Sequence, residues 1–176
     1  EYNGKKLNAP NDLWIHPSGG IYFTDPLYPR PYWKRTPEMQ QDGQHVYYAE
    51  ATGGRWQLRR VAEDLTQPNG IIGTADGKTL YVADIGARKT YRYAIQDDAS
   101  LSEKTLFCNM GSDGMTRDTA GNLYLTGKGV MGRMLGLMNR GGIDRLNPSK
   151  LSFGGMGRVL YCGTPPDLRP WATAVP

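Results

Sequence analysis

Pro10-Asn11-Asp12-Leu13-Trp14-Ile15-His16-Pro17-Ser18-Gly19-Gly20-Ile21-Tyr22-Phe23-Thr24-Asp25 reads as a short apolar strand, a glycine-bearing turn and a second strand of alternating character. The same reading returns in Pro68-Asn69-Gly70-Ile71-Ile72-Gly73-Thr74-Ala75-Asp76-Gly77-Lys78-Thr79-Leu80-Tyr81-Val82-Ala83-Asp84. It returns again, with Asp in place of Asn, in Ser112-Asp113-Gly114-Met115-Thr116-Arg117-Asp118-Thr119-Ala120-Gly121-Asn122-Leu123-Tyr124-Leu125-Thr126. From Asn11, Asn69 and Asp113 to the tyrosine of each copy is 11, 12 and 11 residues, and the starting positions lie 58 and then 44 apart. A long unit that repeats in sequence is a structural unit that repeats in space.

Between the copies lie two further strand candidates each time. After the first they are His45–Ala49 and Trp56–Val61, parted by Thr52-Gly53-Gly54. After the second they are Thr90–Ile95 and Lys104–Phe107, parted by Asp97-Asp98-Ala99-Ser100. Four antiparallel strands every 40 to 60 residues or so is the mark of a β-propeller blade. A β-sandwich would also be all-β, but it has no reason to repeat a sequence unit. The expected fold is therefore an all-β propeller, with about four blades' worth of chain present.

Composition agrees. The 176 residues are 39% hydrophobic and 22% charged, rich in Gly (23) and Tyr (11), and contain no apolar run long enough to span a membrane. Residues 1–127 carry 14 Lys/Arg against 15 Asp/Glu, and residues 128–176 carry 7 against 2, so the net charge of +4 belongs to the tail. Arg133, Arg140, Arg145 and Arg158 are scattered there and form no nucleic-acid-binding module. Neither a nucleic-acid nor a membrane partner is expected. Cys108 and Cys162 fit no metal spacing and are read as thiols. The compartment is not legible: cytoplasmic, periplasmic and secreted locations all fit a soluble protein of this composition.

Propeller geometry turns the repeat into a site. The first strand of each blade is innermost, so equivalent positions in successive blades are related by rotation about the central channel. Asn11, Asn69 and Asp113 each fall at the start of that strand, and are expected at one height around one channel mouth. Taken singly, each is a plain turn residue; three in register, one of them changed to Asp, favour a site. Amide and carboxylate oxygens suit a hard divalent cation such as Ca²⁺. One carboxylate and two amides carry little charge for such an ion, so a further acidic ligand is expected from elsewhere.

Leu7-Asn8-Ala9-Pro10-Asn11-Asp12, Tyr22-Phe23-Thr24-Asp25-Pro26, Gln67-Pro68-Asn69-Gly70, Leu80-Tyr81-Val82-Ala83-Asp84 and Ser112-Asp113-Gly114-Met115 resemble the gluconolactonase/senescence-marker-protein (regucalcin) family. The likeness runs from about Lys6 to Val130 and is strongest to bacterial gluconolactonase-like members. It implies a six-bladed β-propeller with a divalent metal at the channel mouth: Ca²⁺ first, with Zn²⁺, Mg²⁺ or Mn²⁺ as alternatives. Asn69 and Asp113 would then be metal ligands, Asn11 would face both metal and substrate, and Asp113 would also be the catalytic base. The implied activity is metal-dependent opening of a small-molecule lactone. The family's acidic ligand, a Glu from the first blade, would precede Glu1. Ala9 stands where some members carry a substrate-binding Arg, which points to neutral or small lactones.

Other readings of the chain are weaker. Gly127-Lys128-Gly129-Val130-Met131-Gly132 matches a dinucleotide-binding pattern, but no βαβ unit surrounds it. No Gly-x-Ser-x-Gly elbow is present, and His16 and His45 are the only histidines, which leaves a Ser-His triad unsupported. His16 is expected to be a surface turn residue. The competing classes are a strictosidine-synthase-like or phosphotriesterase-like propeller enzyme and a non-catalytic propeller that binds a partner across its mouth.

Residues 1–130 are expected to hold the blades with the site loops, and 131–176 a divergent final-blade region of the same domain. Phe153-Gly154-Gly155 and Arg158-Val159-Leu160-Tyr161 resemble the family's last blade, while the proline-rich end departs from it, as a divergent ending or a shifted reading frame would. The abrupt start at Glu1 suggests a processed or truncated beginning. On that expectation residues 1–176 alone lack lactonase activity.

Overall fold

The computed structural model describes residues 1–34, 38–118 and 121–127, together with the backbones of three short strands at 137–139, 142–144 and 158–162. Every regular element among them is a strand. The chain falls into two compact units, Glu1–Gly114 and Met115–Pro176.

The first unit holds two four-stranded antiparallel sheets, each wound in simple up-and-down order. One contains β1 (Leu13–Ile15), β2 (Ile21–Asp25), β3 (His45–Thr52) and β4 (Arg55–Ala62). The other contains β5 (Pro68–Gly73), β6 (Thr79–Asp84), β7 (Lys89–Ile95) and β8 (Leu101–Cys108). These are two propeller blades, and all four intervening strands expected from the sequence are present, each longer than expected, β7 by a single residue. In the copied turns Gly19 and Gly77 have φ of 93° and 72°, a region that a side chain disfavours, which is why both copies keep glycine.

Alternation along β2 and β6 builds the core. Tyr22, Val46, Tyr48, Leu80, Val82 and Tyr93 are buried together, with residues of both sheets in one cluster. Each such aliphatic side chain contributes about 1.5–3 kcal/mol on burial. Tyr22 stacks on Trp14 and meets Tyr48 at 4.7 Å between ring centroids, and its hydroxyl donates to the Ala99 carbonyl of the other sheet at 2.9 Å. Gly73 on β5 has no room for a Cβ, since the Trp14 ring occupies that space. His16 is not the surface residue expected: it is half-buried, accepts the Ser18 N–H at Nδ1 and reaches the Gly77 carbonyl from Nε2 at 3.0 Å. A turn beside a neighbouring blade is inter-blade contact, and for that reason the single-blade reading misplaced it.

The opposite face of the first sheet is only partly covered, Tyr47 being buried under Tyr2. Leu13, Ile15 and Trp56 are 56, 60 and 64% exposed there, a large apolar area for a sheet face.

The second unit holds a three-stranded sheet in the order β13 (Arg158–Cys162), β10 (Leu123–Gly127), β9 (Met115–Arg117). A separate hairpin joins β11 (Leu137–Asn139) to β12 (Gly142–Asp144). Within β13, Arg158–Tyr161 pairs along β10, with Tyr124 opposite Tyr161. Gly121, in the third copied turn, again has positive φ, 87°. Most of the stretch after Gly127, including Gly129–Gly132, Phe153–Gly155 and the proline-rich end, lies outside the described residues.

Candidate metal and substrate site

A bulge at the start of β5 creates the site. Pro68 pairs with Asp84 and Ile71 with Val82, so Asn69 and Gly70 together face one residue, Ala83. Such an extra residue kinks the strand and re-aims its side chain. The backbone groups that the bulge removes from the ladder are satisfied from neighbouring segments. Thr24 Oγ1 donates to the Asn69 carbonyl at 2.7 Å, Gly70 N–H reaches the Ser112 carbonyl at 3.1 Å, and Ile71 N–H reaches Asp12 Oδ2 at 3.0 Å. Residues beside Asn11 and Asp113 thus hold the bulge that carries Asn69.

Below it lies a carboxylate clamp that occurs in both blades. Asp84, 1% exposed, accepts the N–H groups of Thr66 and Gln67 at 2.8 and 2.9 Å, and that of Ala87 at 3.0 Å. Asp25, fully buried, accepts those of Asn8 and Ala9 at 2.9 and 2.7 Å. Each aspartate ends its blade's second strand and fixes the two residues ahead of that blade's Pro-Asn. The signal was visible, because both aspartates stand at the same place in the copied stretch.

Asn69 and Asp113 are brought together. Asn69 is 1% exposed, and its side-chain nitrogen donates to Asp113 Oδ1 at 3.0 Å and to the Tyr28 hydroxyl at 2.9 Å. A carboxylate oxygen can only accept, so the amide nitrogen must face Asp113, and this fixes the amide's orientation. Its oxygen is then turned the other way, buried and without a hydrogen-bond donor among the described residues. Asp113 itself is exposed. Asn11 is also exposed; its backbone N–H bonds the Thr24 carbonyl at 2.9 Å, and its side chain has no hydrogen bond to the described residues.

Tyr28, which the repeat could not reveal, joins the site from the β2–β3 connection. Its ring lies under the Arg30 guanidinium at 5.7 Å, and the residue before it is tied down by Gln44 and Gln67. Burial raises the Tyr28 phenol above its ordinary range, and the nearby charges of Asp113 and Asp84 push the same way, against the Asn69 hydrogen bond.

A buried amide oxygen lacking a donor costs roughly 1–3 kcal/mol unless something positive meets it. A divalent cation with oxygen ligands is such a partner, and the Asp113 carboxylate beside it supplies charge. No group of three or more His, Cys, Asp or Glu suited to a metal occurs among the described residues.

Comparisons with known proteins place the chain among relatives. The model of the family described as SMP-30/Gluconolactonase/LRE-like region matches residues 1–161. A gluconolactonase of Zymomonas mobilis is 28% identical over 179 residues, an alignment that spans 91% of this chain and 49% of that protein. The lactonohydrolase oryL of Aspergillus oryzae is 29% identical over 158 residues, 74% of this chain and 36% of its own length. Among solved structures, a gluconolactonase of Xanthomonas campestris superposes with a TM-score of 0.60 at 30% identity, covering 72% of this chain and 43% of that one. The chain therefore spans about half the length, or less, of the relatives it matches.

Proposed function

The chain belongs to the SMP-30/gluconolactonase/LRE-like family, and on that premise we propose that its Asn69–Asp113 site serves to open a small lactone with the help of a divalent cation, Ca²⁺ foremost. The observation that carries the reading is the buried Asn69 Oδ1, without a donor among the described residues and fixed in orientation by Asp113. Asn69 and Asp113 would hold the cation, with Asn11 exposed on the substrate side. When bound, such an ion polarises a lactone carbonyl and lowers the pKa of water.

The remaining chemistry belongs to the chain. Asp113 Oδ1 is engaged by Asn69, and Oδ2 is the oxygen that would take a proton from the attacking water. The water oxygen adds to the lactone carbon, the acyl–oxygen bond breaks, and the ring oxygen takes up a proton to leave a hydroxy acid. Ala9 offers no cation, and its N–H is committed to Asp25, so the lactone is expected to be neutral.

The test is acid release from D-glucono-1,5-lactone by the native protein in a pH-stat, with Ca²⁺ and then with excess chelator. Turnover that chelator abolishes and Ca²⁺ restores supports the reading. Metal-independent turnover would remove the cation from it, and no turnover of any lactone would remove the activity.

A further inference from the structure

We infer that Tyr28 is a substrate-facing residue of this site, donating its phenolic O–H to an oxygen of the bound lactone; the inference rests on the lactone reading above. It follows from counting hydrogens. The Asn69 amide has two N–H donors, and both are spent, one on Asp113 Oδ1 and one on the Tyr28 oxygen. A phenol that accepts a hydrogen bond turns its own hydrogen elsewhere. Among the described residues that hydrogen meets no acceptor: the contact with Asn69 is the hydroxyl's sole hydrogen bond there. Accepting from an amide also polarises the phenol and strengthens it as a donor.

The donor is held in place before substrate arrives. Both backbone groups of Leu27 are fixed, its N–H by Gln44 Oε1 at 2.7 Å and its carbonyl by Gln67 Nε2 at 3.1 Å. Gln44 in turn donates to the Thr66 carbonyl at 2.9 Å, and Thr66 and Gln67 are the residues clamped by Asp84 just ahead of Asn69. The loop that presents Tyr28 is thus tied to the segment that presents Asn69. Preorganised donors of this kind gain most where charge develops on an oxygen.

The chemistry divides between the two partners of Asn69. Asp113, a carboxylate, can only accept, whereas Tyr28 has a hydrogen to give. A lactone offers only acceptors in its ester group, so the phenol supplies the complementary half of recognition. No proton is transferred in this role.

The experiment compares the native protein with Tyr28→Phe, which keeps the ring beside Arg30 and removes the hydroxyl. Three quantities are read: kcat/KM for D-glucono-1,5-lactone at saturating Ca²⁺, the Ca²⁺ dissociation constant by calorimetry, and the affinity for D-glucono-1,5-lactam. Expected are a roughly 10- to 100-fold loss of kcat/KM, a weaker grip on the lactam, and a Ca²⁺ constant within about twofold of the parent's. A kcat/KM within about twofold of the parent overturns the inference. So does a loss that tracks weakened Ca²⁺ binding and disappears at higher Ca²⁺, since Tyr28 would then only support Asn69. If the parent opens no lactone, the activity reading fails separately, and lactam binding decides: equal affinity in both proteins, or none in the parent, overturns the role of Tyr28.

Discussion

The side-chain nitrogen of Asn69 donates to Oδ1 of Asp113 across 3.0 Å, joining the starting positions of two sequence copies that lie 44 residues apart. That bond leaves the Asn69 oxygen a buried acceptor with no donor among the described residues and engages one Asp113 oxygen. Asp113→Ala is therefore expected to lower lactone turnover in the native protein by roughly 100-fold or more. The Asp113 side chain is exposed, so the melting temperature should stay within a few degrees of the parent's. Near-normal turnover in a folded Asp113→Ala protein with added Ca²⁺ would count against both the ligand and the base role.

Asn69→Ala should act on metal affinity first. It removes the buried oxygen and, with it, the bonds to Tyr28 and Asp113. A charged partner of a hydrogen-bonding group is worth about 1.5–3 kcal/mol, so the Ca²⁺ constant should rise roughly 10- to 100-fold, with turnover partly rescued at high Ca²⁺. An unchanged calorimetric titration would exclude Asn69 as a ligand.

Asp84 predicts a loss of stability rather than of chemistry alone. Its carboxylate is the acceptor for three N–H groups, so Asp84→Ala strands them in a partly buried setting. The expected cost is about 2–4 kcal/mol in denaturant unfolding. Asp84→Asn should fall between the two, since one of its side-chain atoms would confront an N–H with another donor. A variant as stable as the parent would mean that Thr66, Gln67 and Ala87 find other acceptors.

The blades were legible because a repeated fold writes itself repeatedly into the chain. The spacing from Asn11 to Tyr22 and from Asn69 to Tyr81 marks the same strand–turn–strand, and Gly19 and Gly77 recur because their φ values require them. The pairing of Asn69 with Asp113 follows from the same rotation. Tyr28 was not legible, since it sits in a connection that only one copy has and meets Asn69 across 41 residues of chain. The role of His16 was hidden for a related reason: its partner, Gly77, belongs to the next blade. Asp25 and Asp84 were readable in principle, but the ends of β2 and β6 gave no hint that their partners are backbone N–H groups.

Acid should loosen the edge of the first blade. Hydrogen bonds from Arg60 and then His45 hold the Asp42 carboxyl down, from 3.8 to about 2. A depressed carboxyl contributes stability above its unfolded value, and that contribution is lost as pH falls from about 3.8 through about 2. Asp42 is exposed, so the effect is small. Asp42→Asn should flatten the decline of the unfolding midpoint in that window, and parallel curves for variant and parent would show that the contacts to Arg60 and His45 add nothing.

Residues 1–176 expressed by themselves should self-associate. Leu13, Ile15 and Trp56 leave an apolar sheet face open, and exposed patches of several hundred Å² or so promote association. Such a preparation should also bind Ca²⁺ weakly, near the millimolar end for oxygen-ligand sites or thereabouts, and show no lactonase activity. Leu13→Lys with Trp56→Glu should reduce the association seen by light scattering. A monodisperse, active monomer would mean that the open face is covered and the site completed within these residues.

The most direct test of the account is a crystal structure of the native protein grown with Ca²⁺, with the ion identified by anomalous scattering. The account predicts a cation about 2.3–2.6 Å from both Asn69 Oδ1 and a carboxylate oxygen of Asp113, with Tyr28 still accepting from the Asn69 amide. A bound cation elsewhere, with Asn69 Oδ1 still lacking a positive partner at saturating Ca²⁺, would contradict it.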